Sequence, residues 1–161
     1  MILKTINEEN FNHYKKPSMV LGFPSCNWKC EKECGKQVCQ NSTLAKSPNI
    51  NINKHDLCVK YLNNNITNAI VCAGLEPLDS FNELYSFINI LRNEYKCNDD
   101  FVIYTGYTRE ECNSNKLIEK LCGFDNIIIK FGRYIPNQKP HYDDILGINL
   151  ASDNQYAEKI S

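Results

Sequence analysis

Four short runs of consecutive apolar residues punctuate the chain, and longer stretches with a three-to-four-residue apolar period lie between them. The runs are MVLGF (Met19 to Phe23), AIVCAG (Ala69 to Gly74), FVIYTG (Phe101 to Gly106) and NIIIKFG (Asn126 to Gly132). Runs of this length, apolar at nearly every position and rich in β-branched residues, are expected of strands buried on both faces. Between the first two, Leu57, Tyr61 and Leu62 fall on one face of a helix that an asparagine run ends. Ser80 and Glu83 form a capping-box signature ahead of Leu84, Phe87, Ile88 and Leu91, and Thr108 and Glu111 repeat it ahead of Leu117, Ile118 and Leu121. The residues from Arg133 on, interrupted by Pro136 and Pro140, read as irregular.

Strands alternating with helices predict right-handed crossovers and an α/β fold with a mainly parallel sheet covered by helices. In such sheets ligands sit beyond the carboxyl ends of the strands. Each expected strand ends in an unusual segment: PSC after the first, GLEP after the second, TGY after the third and FGRY after the fourth. These four ends are expected on one rim. No repeat, low-complexity tract or linker divides the chain, so residues 1–161 are expected to form one domain.

The cysteine content sharpens this picture. CNWKCEKECGKQVC places Cys26, Cys30, Cys34 and Cys39 within fourteen residues, directly after the first expected strand. A chain of 161 residues buries enough surface to fold without covalent staples. Its first residues, MILKTINEENFNHYKK, hold no apolar stretch of signal-peptide length, and no run approaches a membrane span, so a cytoplasmic protein with reduced thiols is expected. The other five cysteines, Cys58, Cys72, Cys97, Cys112 and Cys122, are scattered singly and read as small buried hydrophobes. Eighteen basic against nineteen acidic residues leaves no basic footprint for nucleic acid or an anionic membrane. The loop alone suits either a structural zinc knuckle or an iron-sulfur cluster with one iron left free of protein ligands. His13, His55 and His141 have no Cys or His partner at metal spacing.

The surroundings of the loop resemble a known family. CNWKC is similar to the first two cysteines of the radical S-adenosylmethionine signature, and CQNS at Cys39 looks like the third cysteine as it stands in the activating proteins of anaerobic ribonucleotide reductase. GLEPLD (Gly74 to Asp79) is similar to the Gly-Gly-Glu-Pro segment of those enzymes, YTGYTREE (Tyr104 to Glu111) to their Tyr-Thr-Gly-Tyr-Thr segment, and FGRYI with LASDNQ to their C-terminal part. The ordered set covers the chain from Met19 to its end.

The resemblance implies a small partial (βα) barrel-like fold, a [4Fe-4S] cluster and S-adenosylmethionine as cofactors, and formation of a 5'-deoxyadenosyl radical. It implies Cys26, Cys30 and Cys39 as cluster ligands, with Cys34 the alternative third. Cys39 is the better match, because apolar Val38 precedes it and Asn41 follows it, as in the family. Gly74, Glu76 and Pro77 would lie at the methionine end of the cofactor, Glu76 accepting from its ammonium, and Tyr104, Thr105 and Gly106, with Tyr107, near the adenosyl group. Gly132 and Arg133 stand at the fourth rim position, and Trp28 could shield the cluster.

The implied partners are a large glycyl-radical subunit, the anaerobic ribonucleotide reductase, and an electron donor such as flavodoxin or ferredoxin. Two features depart from the family: eight residues separate Cys30 from Cys39, and Leu75 replaces a glycine that elsewhere permits positive φ or close approach. On those departures rests the alternative reading, a non-catalytic iron-sulfur or zinc-binding module that keeps the fold.

Overall fold

Each of the four apolar runs becomes a strand in the computed structural model, which describes residues 1–161. In chain order the strands are β1 (Ile2–Leu3), β2 (Thr5–Asn10), β3 (Ser18–Phe23), β4 (Ile50–Asn51), β5 (Ala69–Gly74), β6 (Asp100–Tyr104), β7 (Ile127–Phe131), β8 (His141–Asp143), β9 (Ile148–Leu150) and β10 (Tyr156–Lys159). The helices are α1 (Lys29–Cys34), α2 (Ser42–Lys46), α3 (Lys54–Leu62), α4 (Phe81–Asn89), α5 (Arg109–Ser114) and α6 (Leu117–Leu121). One π-type turn, Ile90–Glu94, prolongs α4.

The central sheet has the order β10-β7-β6-β5-β3-β2. Its inner strands β3, β5, β6 and β7 are parallel, while β2 and β10 join the two edges antiparallel. The sheet is open, and a partial rather than a closed barrel results. Period-two alternation divides its side chains. Met19, Leu21, Phe23, Ile70, Cys72, Phe101, Ile103, Ile127, Ile129 and Phe131 point to the face covered by helices, where they meet Leu57, Leu84, Phe87, Ile88, Leu91 and Leu121. Val20, Val71, Ala73, Val102 and Ile128 point to the other face and meet Tyr14, Leu146 and Leu150. No helix is long and apolar enough to cross a membrane.

Several expectations need correction. The segment after Arg133 is not irregular: β8 and β9 form an antiparallel hairpin, and β10 completes the sheet edge. Asp143 fastens the hairpin, accepting from the Leu146 amide with one oxygen and from the Ala157 amide of β10 with the other. Ser80 makes no capping bond, because a 3-10 turn over Pro77–Ser80 runs straight into α4 and the cap moves back to Glu76. The box at Thr108 and Glu111 is complete. Leu62 is 41% exposed at the end of α3, although Leu57 and Tyr61 are buried as the pattern required. Cys122 is exposed, whereas Cys58, Cys72, Cys97 and Cys112 are buried.

One buried charge is explained by its partners. Arg92 donates to the carbonyls of Cys97, Asp99 and Asp125 at 2.6, 2.7 and 3.2 Å, tying the π-type turn to the segments entering β6 and β7. A desolvated guanidinium needs such a set of acceptors.

Candidate functional site

The carboxyl ends of β3, β5, β6 and β7 meet around a cavity of about 480 Å³. The chain leaves β3 through Pro24 and Ser25 into the cysteine loop. Trp28 takes a left-handed conformation (φ 58°), which starts α1 and lets its amide donate to Cys26 Sγ at 3.3 Å. Gly35, also left-handed (φ 66°), ends α1, the usual use of a glycine that no Cβ hinders. The residues inserted between Cys30 and Cys39 therefore form a short helix and its stop.

Cys39 is held from both sides. Its amide donates to Glu31 Oε1 at 3.3 Å, and its Sγ accepts from the Asn41 amide at 3.3 Å. The Asn41 side chain donates to the Gly74 carbonyl at 2.7 Å, which fastens this part of the loop to the end of β5. Cys26, Cys30 and Cys39 line the cavity, and Cys34 does not. Burial pushes the Cys26 thiol up to about 11. Burial, then the neighbouring charge of Cys39, raises Cys30.

Further bonds join the loop to the next two strand ends. The Glu76 amide donates to the Ser25 carbonyl at 2.9 Å, the Asn27 amide to Asp79 Oδ2 at 2.8 Å, and Asn27 Nδ2 to the Tyr107 hydroxyl at 2.7 Å. Tyr107 in turn donates to Asp79. Gly74, Glu76, Tyr104, Thr105, Gly106 and Tyr107 all line the cavity. Pro77 does not; it is buried as the first residue of the 3-10 turn. Leu75 lines the cavity with an ordinary φ, and the positive φ of +99° falls on Gly74. The missing second glycine therefore leaves the backbone unstrained.

Glu76 is 5% exposed and accepts three hydrogen bonds: Oε1 from the Leu78 amide (3.0 Å) and Thr105 Oγ1 (2.9 Å), and Oε2 from the Gly106 amide (2.8 Å). Oε2 keeps one lone pair without a partner, and Glu76 lines the cavity. Burial outweighs these bonds and pushes Glu76 up to about 7. Since its folded value lies above the ordinary 4.5, its stabilising contribution is complete below pH 4.5 and is lost as the pH rises through 7. Urea unfolding of the parent and of Glu76→Gln at pH 5 and pH 7.5 checks this. The parent is expected to lose about 2 kcal/mol relative to the variant over that interval, and parallel pH profiles would refute it.

Lys130 escaped the sequence reading because it sits within the apolar run IIIKF. It shares the parity of Ile128, so its side chain joins the cavity face, where it is 7% exposed. Its Nζ donates to the Gly132 carbonyl at 2.8 Å and keeps two further donors. Burial pulls this amine down to about 8, while the Glu76 carboxylate acts upward on it. The signal was present: lysine is almost never buried without a partner.

At the fourth rim position Arg133 is not a solvated charge. Its side chain is 10% exposed and donates to both Glu111 oxygens at 2.6 and 2.7 Å. Burial pushes Glu111 up, but hydrogen bonds from Arg133, Lys29 and the Thr108 amide prevail and hold it at about 2. The capping box of α5 thus also grips Lys29, next to Cys30 in the loop.

No three His, Cys, Asp or Glu side chains converge on one point. A four-iron cluster takes each thiolate on a different iron, and three separate thiols on one cavity wall suit that donor set. Residues 18–154 match the family model of the 4Fe-4S single cluster domain. No curated protein and no solved structure matches the chain.

Proposed function

From the premise that the chain belongs to the 4Fe-4S single cluster domain family, we propose that it is a radical S-adenosylmethionine activating enzyme that generates a glycyl radical on an anaerobic ribonucleotide reductase or a related glycyl-radical protein. The observation that carries this reading is the one cavity shared by Cys26, Cys30 and Cys39, the Glu76 carboxylate and the Lys130 amine.

Cys26, Cys30 and Cys39 would hold the cluster, and S-adenosylmethionine would bind beside it in the same cavity. When bound, the cluster supplies the electron for reductive cleavage of the sulfonium's carbon-sulfur bond. The chain's own residues bind and orient. Glu76 would accept a hydrogen bond from the cofactor's amino group on the free lone pair of Oε2. Lys130 gives its two remaining donors to the carboxylate, the charge-assisted kind of bond that is strongest in a desolvated site. Tyr104, Thr105 and Gly106 border the adenosyl end. Glu111 acts at a distance, holding Lys29 and Arg133 so that the cysteine loop and the end of β7 keep one arrangement.

A large glycyl-radical subunit supplies the backbone segment that completes the open end of the site. The test is anaerobic incubation of the reconstituted protein with reductant and S-adenosylmethionine, followed by chromatography. Release of 5'-deoxyadenosine and methionine is expected, with a glycyl radical signal when an anaerobic reductase is added; intact cofactor would refute the reading.

A narrower outcome concerns Lys130. In equilibrium dialysis, Lys130→Met is expected to bind S-adenosylmethionine at least about tenfold more weakly, since each charged hydrogen bond lost is worth about 1.5–3 kcal/mol. Its iron content is expected to match the parent's, and its stability to be equal or higher, because a buried cation has been removed. Unchanged cofactor affinity would show that Lys130 has no part in binding.

A further inference from the structure

The central sheet is open, and both of its free edges border the main cavity. Strand β2 forms one edge, and the β8–β9 hairpin, which Asp143 fastens to β10, continues the other. Asn7 and Asn10 of β2 and His13 beyond it line the cavity from one side, and Asn149 of β9 lines it from the other. The Lys15 amide donates to the Leu146 carbonyl at 2.7 Å, which joins the two sides at one point. Asn10 pairs with Ser18 at the start of β3, about 16 Å along that strand from Phe23, where the cysteine loop takes over. These residues therefore stand apart from the candidate cluster ligands.

The hydrogen-bonding state of the first edge is fixed by its own geometry. The amides of Asn12 and His13 donate to the same side-chain atom of Asn10, at 2.9 and 3.1 Å, so that atom is the carbonyl oxygen Oδ1. His13 Nδ1 lies 2.8 Å from this oxygen and therefore carries a proton. Burial lowers the pKa of the ring, which stays neutral at neutral pH and leaves Nε2 a bare acceptor. Neither Nε2 nor the Asn10 amide nitrogen has a partner within the fold, and both residues line the cavity. The Tyr104 hydroxyl donates to the His13 carbonyl, holding this loop against the end of β6.

Two observations indicate what these groups meet. Neither edge contributes a fixed charge to the lining; the charged residues there, Lys29, Glu76, Lys130 and Arg133, come from the cysteine loop and the strand ends. A carboxylate or phosphate would find no counter-charge at the edges, whereas a peptide group, with one N–H and one C=O, matches a ring acceptor and an amide donor. The two most exposed large apolar side chains of the protein, Phe11 at 62% and Tyr142 at 59%, also flank this opening: Phe11 follows Asn10, and Tyr142 pairs with Asn149. Exposed aromatics beside a polar opening mark contact with another protein chain.

We infer that His13 and Asn10 on one edge and Asn149 on the other hold the main chain of an uncharged, extended polypeptide segment in the open side of the cavity. His13 Nε2 accepts from a peptide N–H, and Asn10 Nδ2 donates to a peptide C=O. The inference deepens the proposed function and rests on it, since this is the segment that presents the reacting glycine. His13 fixes where that glycine stands and exchanges no atom with it.

The probe is a blocked heptapeptide without charged side chains and with one central, Cα-deuterated glycine. It is titrated into the reconstituted protein with reductant and S-adenosylmethionine, and deuterium recovered in 5'-deoxyadenosine is followed. His13→Leu and Asn149→Ala are each expected to raise the half-saturating peptide concentration about fivefold, with the maximal rate changing less than about twofold. His13→Gln, which keeps an acceptor at similar reach, is expected to stay within about twofold of the parent. The Asn149 side chain makes no hydrogen bond within the fold, so its variant probes the site without disturbing the loop that His13 supports. Affinity for S-adenosylmethionine, measured by equilibrium dialysis, is expected to be equal in all four proteins. Unchanged half-saturation in both His13→Leu and Asn149→Ala would overturn the inference, and so would a loss of cofactor affinity in them, which would assign these groups to the adenosyl moiety. In nitrogen NMR of the histidine-labelled, iron-free chain the peptide is expected to shift the His13 Nε2 signal, and a signal that does not move would also overturn it. A parent that leaves the cofactor intact would instead overturn the proposed function, and the NMR measurement, which needs neither cluster nor cofactor, still decides the subsite.

Discussion

Cys39→Ala is expected to leave the protein colourless after anaerobic reconstitution with iron and sulfide, whereas Cys34→Ala is expected to take up as much iron as the parent. Both cysteines lie within the same short loop, and spacing alone favours Cys34, which is closer to Cys30. The fold favours Cys39. Cys34 ends α1 and does not line the cavity, while Cys39 lines it with its sulfur accepting from the Asn41 amide and its own amide bound to Glu31. The second bond of Asn41, to the Gly74 carbonyl, anchors this stretch to β5. Two thiolates do not suffice to hold a four-iron cluster in this arrangement, so the loss is all or none. Iron and sulfide content with the visible absorbance of the reconstituted variants decides between them. The reverse pattern, a coloured Cys39→Ala and a colourless Cys34→Ala, would reassign the third ligand.

Gly74→Ala is expected to destabilise the fold by about 4 kcal/mol or more, because two separate penalties coincide there. Its φ of +99° is a conformation that costs any other residue roughly 1–3 kcal/mol. An added Cβ would also lie 2.7 Å from Gly22 Cα and 3.0 Å from the Phe23 amide nitrogen, so β3 would have to move. Strand β3 carries the cysteine loop and pairs with β5 at this point, Phe23 against Gly74. A loss of that size lowers the melting temperature by about 8–16 °C in a chain of this length and displaces the loop. Leu75→Gly, one residue on, is expected to shift stability by no more than about 1 kcal/mol, since Leu75 already has an ordinary φ. Thermal melts of the two variants check both. A Gly74→Ala protein within about 1 kcal/mol of the parent would contradict the strain argument.

The parallel core was readable in advance because its signal is redundant. Every strand that is buried on both faces must be apolar at almost every position, and the four runs were. The complete capping box at Thr108 was equally readable, since its bonds are local. What the pattern hid is where tertiary structure overrides local preference. Ser80 and Glu83 have the right spacing, but Pro77 starts a 3-10 turn ahead of them and Glu76 takes over as its cap. Strands β2, β8, β9 and β10 lie at edges or in an isolated hairpin, half exposed, so their sequences TINEEN, HYD, INL and YAEK lack an apolar run. Lys130 was concealed by its neighbours, and Arg133 by the fact that its partner Glu111 lies on another element. That Gly74, Glu76, Tyr104, Thr105 and Gly106 would border one cavity was accessible to sequence reading because strand ends in a parallel sheet share one rim. Between Cys34 and Cys39 spacing pointed to Cys34, whereas the flanking Val38 and Asn41 pointed to Cys39, the one of the two that lines the cavity.

The most direct test of the whole account is electron paramagnetic resonance of the anaerobically reconstituted, dithionite-reduced protein with and without S-adenosylmethionine. The account predicts the signal of a reduced four-iron cluster that changes shape when the cofactor is added, because one iron is free to bind it. A protein that stays colourless and carries stoichiometric zinc, or a cluster signal indifferent to the cofactor, would contradict it.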